Sequence, residues 1–120
     1  MRSKESEEMY LETILILKRQ NGSVRSLDVA EELQYSRASV SRGMSLLRKK
    51  GYIVFDENQA ISFTESGEKK AWEIYTMHDV LAKMFIKIGA SKEVAEENAC
   101  RVEHIISPEL FEVVKRFLNG

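Results

Sequence analysis

Apolar positions recur with a helical period over most of the chain and with a strand period over one short stretch. In "SEEMYLETILILKRQNG" Tyr10, Ile14 and Leu17 share one stripe and Gly22 ends the run, which predicts a first helix. Ser26 stands as an N-cap before "LDVAEELQ", whose Ala30 and Leu33 face inward. A polar turn, "QYS", leads into "RASVSRGMSLLRKKG". There Val40, Met44 and Leu47 repeat at i, i+4 and i+7, and Gly51 closes the helix. Two β-prone runs, Tyr52–Phe55 and Ala60–Phe63, flank the turn "DENQ" and predict a hairpin.

Beyond the hairpin the period is helical again. Thr64 opens a long helix through "ESGEKKAWEIYTMHDVLAKMFIKIG", in spite of Gly67 in its first turn. Ser91 caps "KEVAEENACRVEHII", with Ala95, Ala99, Val102 and Ile106 as its core stripe. Ser107 and Pro108 start "PELFEVVKRFLNG", because proline suits the first helical position. Helix, helix, turn, helix and hairpin is the order of a winged helix-turn-helix. The expected fold is therefore mainly α. It has an N-terminal winged helix-turn-helix with a small β-hairpin wing over residues 1–64 and a helical domain over 65–120.

Composition narrows the class without naming a function. With 120 residues, 43% apolar and one proline, the chain suits one ordered helical domain or two small subdomains sharing a core. No apolar run approaches the roughly 18 residues of a membrane span. The polar start, "MRSKESEEMY", does not read as a signal peptide. A lone cysteine cannot form an internal disulfide and fits a reducing cytoplasm. The net charge of −1 gives no global sign of nucleic-acid binding, so any such binding must come from a local patch.

The third helix carries that patch. Between Gln34 and Val54 there is no acidic residue, while Arg37, Arg42, Arg48, Lys49 and Lys50 are all basic. Its other non-core positions include Ala38, Ser39, Ser41 and Ser45, small or hydrogen-bonding side chains that let a helix sit deep in a groove. Double-stranded DNA is the expected partner. Arginines would reach bases or phosphates, and Lys49 and Lys50 phosphates.

A second constellation lies downstream. Cys100, Glu103 and His104 stand at i, i+3 and i+4, which puts three metal-ligand types on one helical face. His78 sits on the preceding helix in the stripe Ile74, His78, Leu81 and Phe85, where an imidazole needs a partner. A carboxylate from the next helix, or a metal, would supply one. An enzyme is disfavoured: the donors leave no obvious base or open position, and no glycine-rich or nucleophile motif occurs.

Taken in order, "EMYLETILIL", "LDVAEEL", "SRASVSRGMSLLRKKGYI", "ISFTESGEKKA", "MHDVLAKMF" and "ACRVEHIIS" resemble the metal-dependent repressors of the diphtheria-toxin-repressor family, from about Ser6 to Leu118. The resemblance implies a bacterial or archaeal homodimer. Its winged helix would bind operator DNA, and its later helices would bind divalent metal and dimerise. It matches Met9, Cys100, Glu103 and His104 to the regulatory-site ligands of the iron-responsive branch, and His78 to the histidine of a neighbouring second site. Glu12 falls where the manganese-responsive branch has a carboxylate ligand. Ser36, Ala38, Ser39, Ser41 and Arg42 match DNA-facing positions.

Two departures stand out. Ala82 replaces a frequent glutamate of the second site, and Glu96 replaces a histidine. In length the chain resembles the manganese branch, lacking the SH3-like domain of the iron branch, while its primary ligands resemble the iron branch. A thioether and a thiolate favour Fe(II), Co(II), Ni(II) or Zn(II) over Mn(II), and availability makes Fe(II) the first choice. The alternatives are a manganese-responsive regulator of the same family and a winged-helix regulator that senses no metal. One ion bonded to both halves would fix their orientation, and in a dimer would set the spacing of the recognition helices. The acidic start, Glu5, Glu7, Glu8 and Glu12, would repel phosphate until metal orders or neutralises it. Val94, Ile105, Leu110, Phe111, Val114 and Phe117 are the apolar positions that the last two helices offer to a dimer interface, with no choice made among them.

Overall fold

A computed structural model describes residues 3–120. Residues 1 and 2, included in the expected DNA-binding domain, and the Glu5 side chain lie outside what is described. The elements are α1 (Ser3–Asn21), α2 (Ser26–Leu33), α3 (Arg37–Lys49), β1 (Ile53–Phe55), β2 (Ile61–Phe63), α4 (Glu65–Lys87), α5 (Lys92–Val102) and α6 (Pro108–Asn119). The mainly helical winged helix-turn-helix read from the sequence is the fold observed.

Two compact units divide between Trp72 and Glu73, inside α4. The first holds the winged helix, with Leu11, Ile14, Val24, Val29, Val40, Met44, Leu47, Ile53 and Ile61 buried. α2 starts one residue earlier than its expected cap implies. Arg25 is the N-cap, and its backbone N–H donates to Asp28 Oδ2 at 2.8 Å, so Ser26 is already helical. The carboxylate at the third helical position satisfies the cap from inside the helix, and no serine is needed at the cap itself. Gln34 takes the left-handed conformation at the end of α2, with φ 59°, and turns the chain into α3.

The wing is an antiparallel pair with Ile53 opposite Phe63, Val54 opposite Ser62 and Phe55 opposite Ile61. Asp56 closes its turn by accepting the N–H groups of Asn58 and Ala60 at 2.8 and 3.0 Å. The wing is stitched to the body by Ile61 N–H donating to Val24 O at 2.8 Å.

Gly67, the anomaly in the first turn of α4, has a steric reason. A Cβ there would stand 1.9 Å from the carbonyl oxygen of Tyr52, so only glycine lets the helix start against the hairpin. Thr64 Oγ1 caps that turn, accepting from Gly67 N–H at 3.1 Å. Through these contacts the opening of α4 packs as part of the winged-helix unit, although the helix itself begins beside the expected boundary at 64/65.

The second unit is a small helical core of Leu81, Ala82, Ala95, Ala99 and Val114, joined by Val80, Met84, Phe85, Val102, Ile106 and Leu118. Alanines at 95 and 99 allow α5 close to its neighbours. Ser91 and Ser107 cap α5 and α6 as expected, accepting from Val94 and Leu110 N–H at 3.2 Å each. α5, however, ends at Val102 rather than running on to Ile106. Val102 O receives the N–H groups of both Ile105 and Ile106, at 3.0 and 2.9 Å, and the chain leaves the helix in a tight turn. Val114 belongs to this core, which removes it from the apolar positions open to a dimer partner. Val94, Ile105, Leu110 and Phe117 are exposed, and Phe111 is half-buried.

Candidate metal centre and nucleic-acid interface

In the first unit α3 presents the basic set outward. Ser36, Arg37, Ala38, Ser41, Arg42, Arg48 and Lys49 are exposed and Ser39 is half-buried, while Val40, Met44 and Leu47 anchor the opposite face. Ser36 is the N-cap and accepts Ser39 N–H at 3.1 Å. Arg42 Nη2 lies 3.5 Å from Ser39 Oγ, so the two polar side chains form one surface. The Arg48 guanidinium sits 5.6 Å from the centre of the Phe55 ring, which holds it against the wing. Lys50 is ion-paired with Glu7.

α1 carries the two other candidate ligands of this unit. Met9 is half-buried and its sulfur accepts a hydrogen bond from Tyr35 Oη at 3.4 Å. Glu12 is buried.

In the second unit Cys100, Glu103 and His104 converge. One donor atom from each lies within 4.8 Å of the others. Atoms sharing one ion stand about 2.0–2.3 Å from it, hence within about 4.6 Å of each other, so small side-chain adjustments bring this trio onto a common ion. The trio was expected on a continuous helix. Instead Cys100 lies in the last turn of α5, Glu103 is its C-cap and His104 is in the following turn. Residue 103 keeps helical angles (φ −58°, ψ −25°), which preserves the shared face for one more position.

The Glu103 side chain is fully buried, with 0% exposure. A carboxylate in that position is costly twice over. It is removed from water, and it sits at the negative end of a helix. Its two oxygens meet imidazoles, Oε1 at 2.9 Å from His78 Nδ1 and Oε2 at 3.5 Å from His104 Nε2. A divalent cation would offset the same charge more strongly, so the donor set fits a metal.

His78 Nε2 is 2.7 Å from Glu96 Oε1, so both of its ring nitrogens meet a carboxylate oxygen. The carboxylate partner expected for this histidine is thus present twice. Glu96 was missed as a site residue, having been read only as a departure from a histidine. Its spacing of seven from Glu103 put both on one face of α5 and was the available signal.

A serine-capped basic helix with a wing, followed by a helical unit that gathers a cysteine, a buried carboxylate and two imidazoles, has the make-up of a metal-regulated DNA-binding protein. The N-terminal DNA binding domain of the iron dependent repressors matches residues 3–61, and the metal binding and dimerisation domain of the same repressors matches residues 64–120. The chain belongs to this family of metal-dependent transcriptional repressors, which are regulators and not enzymes.

Among its relatives, the transcriptional regulator MntR of Escherichia coli O157:H7 is 30% identical over 108 residues, covering 90% of this chain and 70% of that protein. An HTH-type transcriptional regulator of Methanocaldococcus jannaschii is 29% identical over 117 residues, covering 96% of this chain and 94% of that one. The fold matches the solved manganese regulator SloR, with TM-score 0.82 and 23% identity over 94% of this chain. It also matches the solved IdeR of T. acidophilum, with TM-score 0.81 and 23% identity over 94% of this chain. The chain spans about half of each of these two, 53% and 54%.

Proposed function

We propose that the protein binds operator DNA as a homodimer when loaded with a divalent metal, and that Fe(II) is the metal it senses. The observation that carries this reading is the convergence of Cys100, Glu103 and His104 donor atoms within 4.8 Å around a buried carboxylate. A thiolate in the set selects against Mn(II), and affinity order alone would favour zinc or copper, so cellular availability leaves Fe(II). Bound metal supplies a positive charge and a fixed geometry. The chain supplies the ligands, with deprotonation of Cys100 and a neutral His104 as preconditions. Met9 is assigned to the same ion, and Glu12 and His78 to a second, by correspondence with ligand positions of the family. On α3, Ser36, Arg37, Ala38, Ser39, Ser41 and Arg42 face the bases, and Arg48 and Lys49 hold the phosphates.

The test is an anaerobic DNA-binding titration of wild type and Cys100→Ala, using a promoter fragment from the protein's own genome region. Each is measured in chelator, in Fe(II) and in Mn(II). The proposal expects Fe(II) to tighten wild-type binding and the substitution to abolish that gain. Equal binding in chelator leaves a plain winged-helix regulator.

A manganese-responsive regulator is the second reading, and one observation favours it. His78 Nδ1 lies 2.9 Å from Glu103 Oε1, a hard nitrogen and oxygen donor pair. Its signature in the same titration is a gain with Mn(II) that survives Cys100→Ala and is lost in His78→Ala.

A further inference from the structure

Met9, Tyr10 and Tyr35 form a small cluster joining α1 to the turn that launches α3. The Tyr35 hydroxyl donates to the Met9 sulfur at 3.4 Å. The rings of Tyr10 and Tyr35 meet edge to face, with centroids 6.3 Å apart and planes at 84°. Tyr10 in turn covers Gly43 of α3, where a Cβ would stand 2.2 Å from its ring.

The placement of Tyr35 is built into the backbone. Gln34 turns the chain at φ 59°, Tyr35 N–H is tied to Ala30 O at 3.1 Å, and the next residue is Ser36, the N-cap of α3. Tyr35 is 42% exposed, so water is available to its hydroxyl, yet the hydroxyl faces a thioether, a weak acceptor. The geometry of the turn aims it there.

We propose, resting on the reading of Met9 as a metal ligand, that Tyr35 is a positioning residue that orients the Met9 thioether and couples metal occupancy to the start of the recognition helix. A methionine has three rotatable bonds and is poorly preorganised as a ligand. A hydroxyl on one sulfur lone pair fixes the terminal torsion and leaves the other lone pair for an ion. One peptide bond separates Tyr35 from the cap of α3, so the hydrogen bond ties the Met9 sulfur to the residue next to Ser36. The ligand class is a divalent ion that tolerates sulfur, such as Fe(II).

Tyr35→Phe keeps the ring against Tyr10 and removes only the hydroxyl. In metal-free protein, the methyl carbon resonance of Met9 is expected to shift in this variant, and an unchanged resonance overturns the proposal. DNA affinity is then measured in chelator and in saturating Fe(II) for wild type, Tyr35→Phe, Met9→Leu and the double variant. Loss of the hydroxyl is expected to shrink the metal-driven gain by about 2- to 10-fold, the scale of one hydrogen bond, with binding in chelator unchanged. It is expected to add nothing in the Met9→Leu background.

If Met9→Leu leaves the metal-driven gain intact, the ligand reading falls and this inference falls with it. If Met9→Leu abolishes the gain but Tyr35→Phe does not reduce it, only the inference is overturned. An equal loss in chelator and in Fe(II) would also overturn it, since it would make Tyr35 a plain DNA contact.

Discussion

Helices α3 and α5 are built alike and used in opposite ways. Each is capped by a serine, buries one stripe and belongs to one compact unit. On α3 the candidate residues lie on the exposed face, where solvated arginines cost the fold little. On α5 they gather at the C-terminal end, where Glu103 is fully buried. An exposed set can wait for its ligand in water. A buried carboxylate at a helix C-terminus cannot, and the two imidazoles beside it, His78 and His104, are its partners. The candidate DNA surface is held by the fold, whereas the candidate metal cluster is held by contacts among its own polar side chains. The metal-side charges should therefore be far more sensitive to substitution.

The largest effect should come from the buried set. Cys100→Ala is expected to lower metal affinity by about 100-fold or more, beyond the range for outer-shell partners, with DNA binding in chelator unchanged. Isothermal titration with Co(II) or Fe(II) under argon checks it. Metal affinity of the wild type should also fall as pH is lowered, because protons compete for the thiolate and imidazole donors. A Cys100→Ala protein that binds metal normally would break the comparison at its stronger end.

This contrast also governs what was legible in the sequence. Buried stripes set the elements. Val40, Met44 and Leu47 placed α3 correctly, and the serine caps placed the starts of α5 and α6. The exposed basic surface was legible because charge on a helix of known phase needs no tertiary information. At α5 the residue types were legible but the helix end was not, since the turn at Glu103 is made by backbone bonds to Val102 O that no side-chain pattern signals. Gly67 was noticed as an oddity, and its reason, the Tyr52 carbonyl, exists only once the hairpin has folded back. Glu96 escaped because its role depends on His78, eighteen positions away on another helix.

The exposed set gives the next largest effect. Arg42→Ala is expected to weaken DNA binding by about 1–3 kcal/mol and to relax preference at one base pair. Lys49→Ala should weaken all sequences alike and reduce the salt slope by about one. Metal affinity measured without DNA should be unchanged in both. Binding measured against operator and scrambled duplexes at several salt concentrations separates the two roles. If Arg42→Ala lowers metal affinity in the absence of DNA, the two sets are not used as differently as their burial implies.

Gly67→Ala probes the scaffold. Helix propensity alone predicts a gain of about 1 kcal/mol on replacing glycine. The 1.9 Å approach to the Tyr52 carbonyl predicts the opposite sign, because backbone has to move. A loss of about 1–3 kcal/mol is expected, the usual cost of overpacking, seen as a lower midpoint in thermal unfolding. A stabilised variant would show that α4 can start without its contact with the hairpin.

The smallest effect belongs to the end of α3, where Glu7 holds Lys50. The hydrogen bond from Lys50 to the Glu7 carboxylate, followed by their attraction, raises the lysine above its ordinary value of 10.5. A raised lysine means that the pair contributes below the ordinary lysine range and is lost only as pH rises through the higher folded value. At neutral pH the contact is therefore made, and a cation expected to meet phosphate is engaged by a carboxylate of the same chain. Glu7→Gln keeps the lysine charged and releases it. Metal-free DNA binding is expected to tighten by no more than about 5-fold, the limit for an exposed pair. The logarithmic salt slope should steepen by about 0.9 for the one phosphate gained. Lys50→Gln should remove both changes when combined with Glu7→Gln. A Glu7→Gln protein with unchanged slope would place Lys50 outside the DNA contact, and confine the exposed set to the first and middle turns of α3.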